Sequence, residues 1–284
     1  MIIFLRWVES VNAENYFIST FCSSKTHIGD DGAAIGKWIY SKDLFFENIH
    51  FKRKWLTPYQ IGYKAMIINI SDAVAMNAVP KYALLGAAMP KSMSLHQMDE
   101  LSRGIRTAAS EYGIEIIGGD TIGNSKLDLS VTIISHAANP LLRRGLKRGD
   151  IIAYTGEIGK SAKQLRYLMS GGSVHTQSRF VAPKLRQSFI AEARPYLRCG
   201  MDISDGLFSD IEKLCRANRM GVRFTKKVPK KIGCSGEEYE MLIAFSPRRL
   251  QTLRRIAAQN RTTITPVARA VRGSYTNRCK AHHF

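Results

Sequence analysis

The chain has 284 residues, 45% of them hydrophobic and 23% charged, which is enough to bury a core and to divide into two domains, and which excludes a mainly disordered chain. No apolar run approaches the ~20 residues a membrane-spanning helix needs. The opening MIIFLRWVES also carries an arginine and a glutamate where a signal peptide keeps its apolar core, so the expectation is a soluble cytoplasmic protein with no membrane partner. Lys and Arg number 42 against 23 Asp and Glu, a net charge of +19. The basic residues are spread along the chain, in segments such as LLRRGLKRGD and FTKKVPKK, rather than gathered on one helix or tail. They read as a solvated surface, or as attraction to phosphate-bearing small molecules, and a basic nucleic-acid-binding protein is kept only as the alternative from another class. Cys22, Cys199, Cys215, Cys234 and Cys279 form no close pair and their count is odd, so neither a disulfide framework nor a structural zinc site is expected.

The first half alternates strands and helices. Residues 37–46, rich in aromatic and β-branched side chains, predict a strand. Thr57 followed by Pro58 is a helix start, and apolar residues at helical spacing carry that helix to Met76. A strand is predicted at residues 81–89, then a helix from its N-cap Ser94 to Tyr112, stopped by Gly113. Two apolar stretches follow, 114–117 and 127–136, the second alternating like a half-exposed strand. Asn139-Pro140 and the basic, glycine-bearing segment to Asp150 read as a connection. The domain expectation is therefore 1–138 and 139–284. Beyond it, a strand is predicted at 151–154, helices at 161–169, 184–193, 208–218 and 247–258, and strands near Val222 and Leu242. Both halves mix helix and strand, so the fold class is α+β.

The few acids stand where chemistry would need them. Aspartates sit beside glycines at the ends of apolar runs in Gly29-Asp30-Asp31-Gly32, Ser71-Asp72, Gly118-Gly119-Asp120-Thr121 and Asp202-Ile203-Ser204-Asp205-Gly206, and Asp43 lies inside the first strand. Each alone is an ordinary turn or cap residue. Several meeting in space would repel one another unless cations sat among them, and hard carboxylate oxygens suit Mg²⁺. Mg²⁺ prefers few carboxylates, waters and phosphate oxygens, so the pattern points to a nucleotide substrate. A rival phosphate motif at residues 156–161, GEIGKS, resembles the end of a P-loop, but Tyr154 stands where its first glycine belongs. No GxSxG marks a nucleophilic serine.

GDDGAAI at 29–35, DLFFENIHF at 43–51, GYKAMIINISDAVAMNAVP at 62–80, GGDT at 118–121, MDISDGL at 201–207 and GEEYEML at 236–242 resemble, in order and spacing, the thiamine-monophosphate kinases. Parts of these motifs are shared with other ATP-using members of the aminoimidazole ribonucleotide synthetase-like superfamily, including selenophosphate synthetase and the hydrogenase maturation factor, which stand as the alternative activity. The resemblance implies a two-domain fold with an N-terminal ATP- and Mg-binding domain that pairs in a homodimer, and ATP-dependent conversion of thiamine monophosphate to thiamine diphosphate by direct in-line transfer. It implies metal positions at Asp30, Asp31, Ser41, Lys42, Asp43, Asp72, Asp120, Asp202 and Asp205, of which Asp31, Asp72, Asp120 and Asp205 would serve catalysis. Gly119, Asp120, Arg143 and Ser204 fall at nucleotide contacts, and His50 and Glu237 at positions that hold thiamine monophosphate. The chain departs from the family pattern at Lys42, where threonine is usual, at Asn48-Ile49, at Ser235, and at Ala281, where a large aromatic would stack on the substrate.

Overall fold

Thr57 builds the longest helix as its sequence suggests. Its hydroxyl accepts from the Gln60 N–H while the Gln60 side chain accepts from the Thr57 N–H, a reciprocal cap with proline at the first helical position. The computed structural model describes residues 16–18, 20 and 27–280; Cys22 and Ala281 lie outside them. In chain order the elements are β1 (Ala33–Ile35), β2 (Trp38–Phe46), α1 (Pro58–Ala75), β3 (Val79–Pro90), α2 (Leu95–Glu111), β4 (Glu115–Asn124), β5 (Asp128–His136), β6 (Ile151–Thr155), α3 (Lys160–Met169), α4 (Gln187–Ala193), β7 (Cys199–Asp202), α5 (Leu207–Asn218), β8 (Gly221–Phe224), the single turn α6 (Lys230–Gly233), β9 (Met241–Phe245), α7 (Leu250–Gln259) and β10 (Ile264–Val271).

The strands form two five-stranded sheets, ordered β1-β2-β5-β3-β4 and β7-β9-β6-β10-β8. In the first, β3 and β4 are parallel and the other neighbours antiparallel; the second is antiparallel throughout. The mixed α+β class is what the sequence predicted. Helices α1 and α2 cover one face of the first sheet, where Ile39, Ile67, Ile70, Val131 and Ile133 share a core. They meet closely because glycines stand at the crossing: a Cβ on Gly62 would lie 2.2 Å from the Leu101 carbonyl oxygen, and one on Gly104 2.1 Å from that of Tyr59. Helix α1 is buried on nearly every side, so it cannot be a surface helix. It lies between the two sheets: Ala75 joins the core of the second, beside Leu141, Ile151 and Ile243.

Three strands escaped the sequence reading: β1, β7 and β10. β7 is four residues long, too short for a period, and β10 contains Pro266, accommodated where the pairing with β6 shifts between Pro266 and Ala268. The cysteine expectation needs correction. Cys234 and Cys279, 45 residues apart, form a disulfide with Cα atoms 5.6 Å apart. The chain after β10 folds back so that Tyr275 packs against Phe224, which brings Cys279 to the end of α6; spacing alone gives no sign of such a return.

Candidate functional site

The end of α1 is where the acids converge. Asp31, Asp72 and Asp202 each offer a carboxylate oxygen, and these oxygens lie within 4.8 Å of one another. Each arrives from a different part of the chain. Asp31 comes from the glycine-flanked turn before β1, Asp72 from the last turn of α1, and Asp202 from the end of β7. A half-buried acid in the last turn of a helix faces the negative end of the helix dipole, so Asp72 stands where folding alone disfavours it.

Burial, first, and the neighbouring carboxylates, second, push Asp72 and Asp202 well above the ordinary carboxylate range. Asp31 is raised by burial although Arg143 opposes the shift. Asp43 on β2 is raised to about 6 by burial and by the charges of Asp31 and Asp205. Asp210, on α5, is raised to about 7, chiefly by burial. Two cations answer them. Arg143 pairs with Asp31 at 2.5 Å; burial works against its charge, but Asp31 and Asp202 outweigh that and hold it protonated. Lys213 pairs with Asp205 at 2.5 Å and with Asp210 at 3.2 Å. Six carboxylates against two cations leave 6 − 2 = 4 excess negative charges if all ionise. A hard-oxygen donor set with surplus charge fits Mg²⁺ ions.

The other predicted residues divide by position. Asp30 accepts from the Arg143 N–H at 2.6 Å and so places the arginine rather than facing the cluster. Ser41 is buried and donates to the Asn69 carbonyl oxygen at 3.4 Å, while the Asn69 side chain accepts from the Asp43 N–H at 2.7 Å. Asp205 opens the turn into α5, and the Ser204 carbonyl oxygen accepts from the Glu237 N–H at 2.7 Å. His50 closes the turn after β2, its Nδ1 accepting from the Phe46 N–H at 3.0 Å. Glu237, at φ 56, pairs with Lys64 at 2.8 Å.

Lys42 and Asp120 are not brought to the carboxylate cluster. Register explains why: Asp43 aligns with Val131, Leu85 and Gly119, whereas Asp120 aligns with Gly86, Ser130 and Leu44. Aligned residues share a face and successive residues alternate, so Asp120 projects from the face opposite Asp43. Lys42 is on that outer face too, donating to the Ser130 hydroxyl. Gly119 lies on the edge strand β4, where a Cβ would fall 1.8 Å from the Leu85 carbonyl oxygen.

The P-loop-like segment is answered by its surroundings. The Gly159 and Ser161 N–H groups at the start of α3 donate to Glu238 Oε1, at 2.8 and 3.2 Å, so a carboxylate of the chain itself takes the place a phosphate would need. Glu240 is fully buried between Arg179 and Arg186, 2.6 Å from each. Sequence reading missed Lys64, Asn69, Asp210 and Lys213. Only Asp210 and Lys213 left a sign, an acid and a base three residues apart on the helix that follows Asp205.

Residues 29–137 match the family model described as AIR synthase related protein, N-terminal domain. The chain is 32% identical over 218 residues to thiamine-monophosphate kinase of Bacillus subtilis, covering 71% of this chain and 67% of that protein. It is 31% identical over 230 residues to the enzyme of that name from Leptospira interrogans, covering 74% and 75%. In structure it resembles a chain described as AaThiL complexed with AMPPCP and TMP, with a TM-score of 0.81, 23% identity, and coverage of 92% of this chain and 90% of that one. A hydrogenase maturation protein, in a HypE-HypF complex, matches at a TM-score of 0.74 and 13% identity, covering 92% and 93%. At 32% and 31% identity over 67% and 75% of those two enzymes, this chain belongs to the thiamine-monophosphate kinase family.

Proposed function

We propose that the protein transfers the γ-phosphoryl group of ATP to thiamine monophosphate, yielding thiamine diphosphate and ADP, with Mg²⁺ held by Asp31, Asp72 and Asp202 and supported by Asp43 and Asp205. The observation that carries this reading is the meeting of Asp31, Asp72 and Asp202 within 4.8 Å, in a chain akin to enzymes of that name. Bound Mg²⁺ would neutralise the triphosphate and the charge that spreads over the transferring group. Arg143, held by Asp30 and Asp31, adds a fixed positive charge at the same place. Ser204, His50 and Glu237 are assigned to the nucleotide and acceptor ends, with Gly119 a nucleotide contact. The acceptor oxygen belongs to a phosphate group, largely deprotonated near neutral pH, so the side chains need to align and screen rather than abstract a proton.

The proposed division is 1–138 and 139–284, with transfer in the cleft that α1 spans. A homodimer is proposed through the outer face of the first sheet, where Trp38, Tyr40, Leu44, Leu84 and Ile122 are exposed. An apolar face of this kind marks an interface, and Asp120 would act at the metals only within such a dimer. ATP as co-substrate suits a cytoplasmic setting. Among the described residues no helix is long and apolar enough to cross a membrane.

The decisive experiment incubates the purified chain with ATP, Mg²⁺ and thiamine monophosphate. Thiamine diphosphate should form, and its absence would reject the reading. With ATP chiral at the γ-phosphorus, direct in-line transfer inverts configuration, whereas retention would require a phospho-enzyme.

A further inference from the structure

The ammonium of Lys64 is the feature of α1 that the metal cluster does not use. Its side chain is completely buried, yet its Nζ lies 2.8 Å from Glu237 Oε2, a carboxylate 24% exposed. The same Nζ sits 3.5 Å from the centre of the Phe180 ring and 5.8 Å from that of Phe45. Phe45 in turn lies 5.7 Å from the His50 ring, tilted against it. One cation thus joins Glu237, from the second half of the chain, to the aromatic wall beside His50, from the first.

A buried ammonium costs desolvation energy, and burial does lower the Lys64 pKa while Glu237 opposes that shift. Folding alone would be served as well by an apolar side chain at this point, set as it is against the rings of Phe45 and Phe180. What Lys64 adds is direction. Glu237 stands on a left-handed backbone at φ 56, with only its N–H tied to Ser204, so its carboxylate is aimed by the ion pair and the aromatic faces that fix the ammonium.

We infer that Lys64 is a positioning residue for the acceptor end of the site: it aims the Glu237 carboxylate toward thiamine monophosphate and ties that carboxylate to the His50 side of the cleft. This rests on the kinase reading above and on Glu237 as an acceptor contact. Lys64 and Asp72 stand eight residues apart on α1, about 12 Å along the helix axis, so one rigid element sets the spacing between acceptor and metal ends.

Steady-state kinetics of the full chain test the inference. Lys64→Met should lower kcat/KM for thiamine monophosphate roughly tenfold or more, as expected when a substrate contact is misaimed, while the KM for ATP stays within about twofold. Lys64→Arg should recover most of the loss, because it keeps a buried charge within reach of Glu237. Placed in a Glu237→Gln background, Lys64→Met should add less than about twofold. Should Lys64→Met not fold, Lys64→Gln carries the same test, since it leaves a neutral donor facing Glu237. An acceptor kcat/KM unchanged in a stable Lys64→Met protein overturns the inference, as does an equal loss of kcat/KM for both substrates or a full multiplication of the two losses. Failure of the kinase reading looks different: the unmodified chain would make no thiamine diphosphate at all, and both conclusions would fall together.

Discussion

Ser71 donates its hydroxyl hydrogen to Asp202 Oδ2 at 2.6 Å, across 131 residues of chain and between the two sheets. Both groups are buried, so the bond replaces water as the partner of one carboxylate oxygen and fixes the Asp202 side chain beside Asp31 and Asp72. It also opposes the upward shift of the Asp202 pKa. Hydrogen bonds to charged groups contribute about 1.5–3 kcal/mol. Ser71→Ala should therefore raise the Mg²⁺ concentration for half-maximal activity by about tenfold or more, with the protein still folded. A magnesium titration of turnover with a parallel melting curve measures both, and an unchanged half-saturation would remove Asp202 from the metal assignment.

Asp72 gives the sharper contrast between stability and activity. Its half-buried carboxylate feels the charges of Asp43, Asp202 and Asp31 and sits at the unfavourable end of α1. Asp72→Asn removes like-charge repulsion while leaving volume and packing nearly intact. In metal-free buffer at neutral pH the variant should melt at the same temperature as the parent chain or higher, yet turn over at least about a hundredfold more slowly, since a bound cation loses a charged ligand. Loss of stability together with activity would mean that the carboxylate serves the fold.

Much of this site was legible because motif and structure place the same residues at chain reversals. Thr57, Pro58, Ser94 and Gly113 mark their helices through local chemistry, and the Gly-Asp turns stand out in a basic chain. Face and register were not legible. Asp120 and Asp43 look equivalent as acids beside apolar runs, but pairing through β5 and β3 sends them to opposite sides of the sheet. Lys64 was hidden for another reason: within GYKAMIINIS it reads as the polar residue of an amphipathic helix, and only the packing of the second half over α1 buries it. The Cys234–Cys279 pair depends in the same way on a long return of the chain.

The raised carboxylates predict a pH dependence of known sign. Asp43 titrates at about 6 and Asp210 at about 7, both chiefly through burial, and Asp31, Asp72 and Asp202 are raised in the same direction. On each group the folded chain binds a proton more tightly than the unfolded chain, so protonation favours folding. Without divalent metal, this contribution is full below the unfolded carboxylate value of about 4 and is lost as pH rises through about 7. Metal ions replace protons in that range. The melting temperature should therefore fall with rising pH in chelator and flatten in about 10 mM Mg²⁺, where ligand binding to the folded state restores stability. Parallel curves with and without Mg²⁺ would argue against a metal site at these residues.

The Cys234–Cys279 bridge can be counted directly. The sequence holds five cysteines, and among the described residues Cys199 and Cys215 are free while Cys234 and Cys279 are joined. Denatured protein should therefore show two more reactive thiols after reduction than before it, those of Cys234 and Cys279. The bridge closes a loop over a separation of 45 residues, for which restriction of the unfolded chain contributes about 4 kcal/mol. Reduction should accordingly lower the melting temperature. Because Cys234 directly precedes Ser235, whose hydroxyl donates to Glu238 Oε1 at 2.5 Å, and lies three residues before Glu237, opening the bridge should also loosen the acceptor end. Reduced protein should show a higher KM for thiamine monophosphate with the KM for ATP unchanged, and Cys279→Ser should reproduce that state. Five reactive thiols in protein kept from reductant would show the two cysteines unjoined in solution, and the tail would then have to be held by its other contacts, Tyr275 on Phe224 and Asn277 on Glu212.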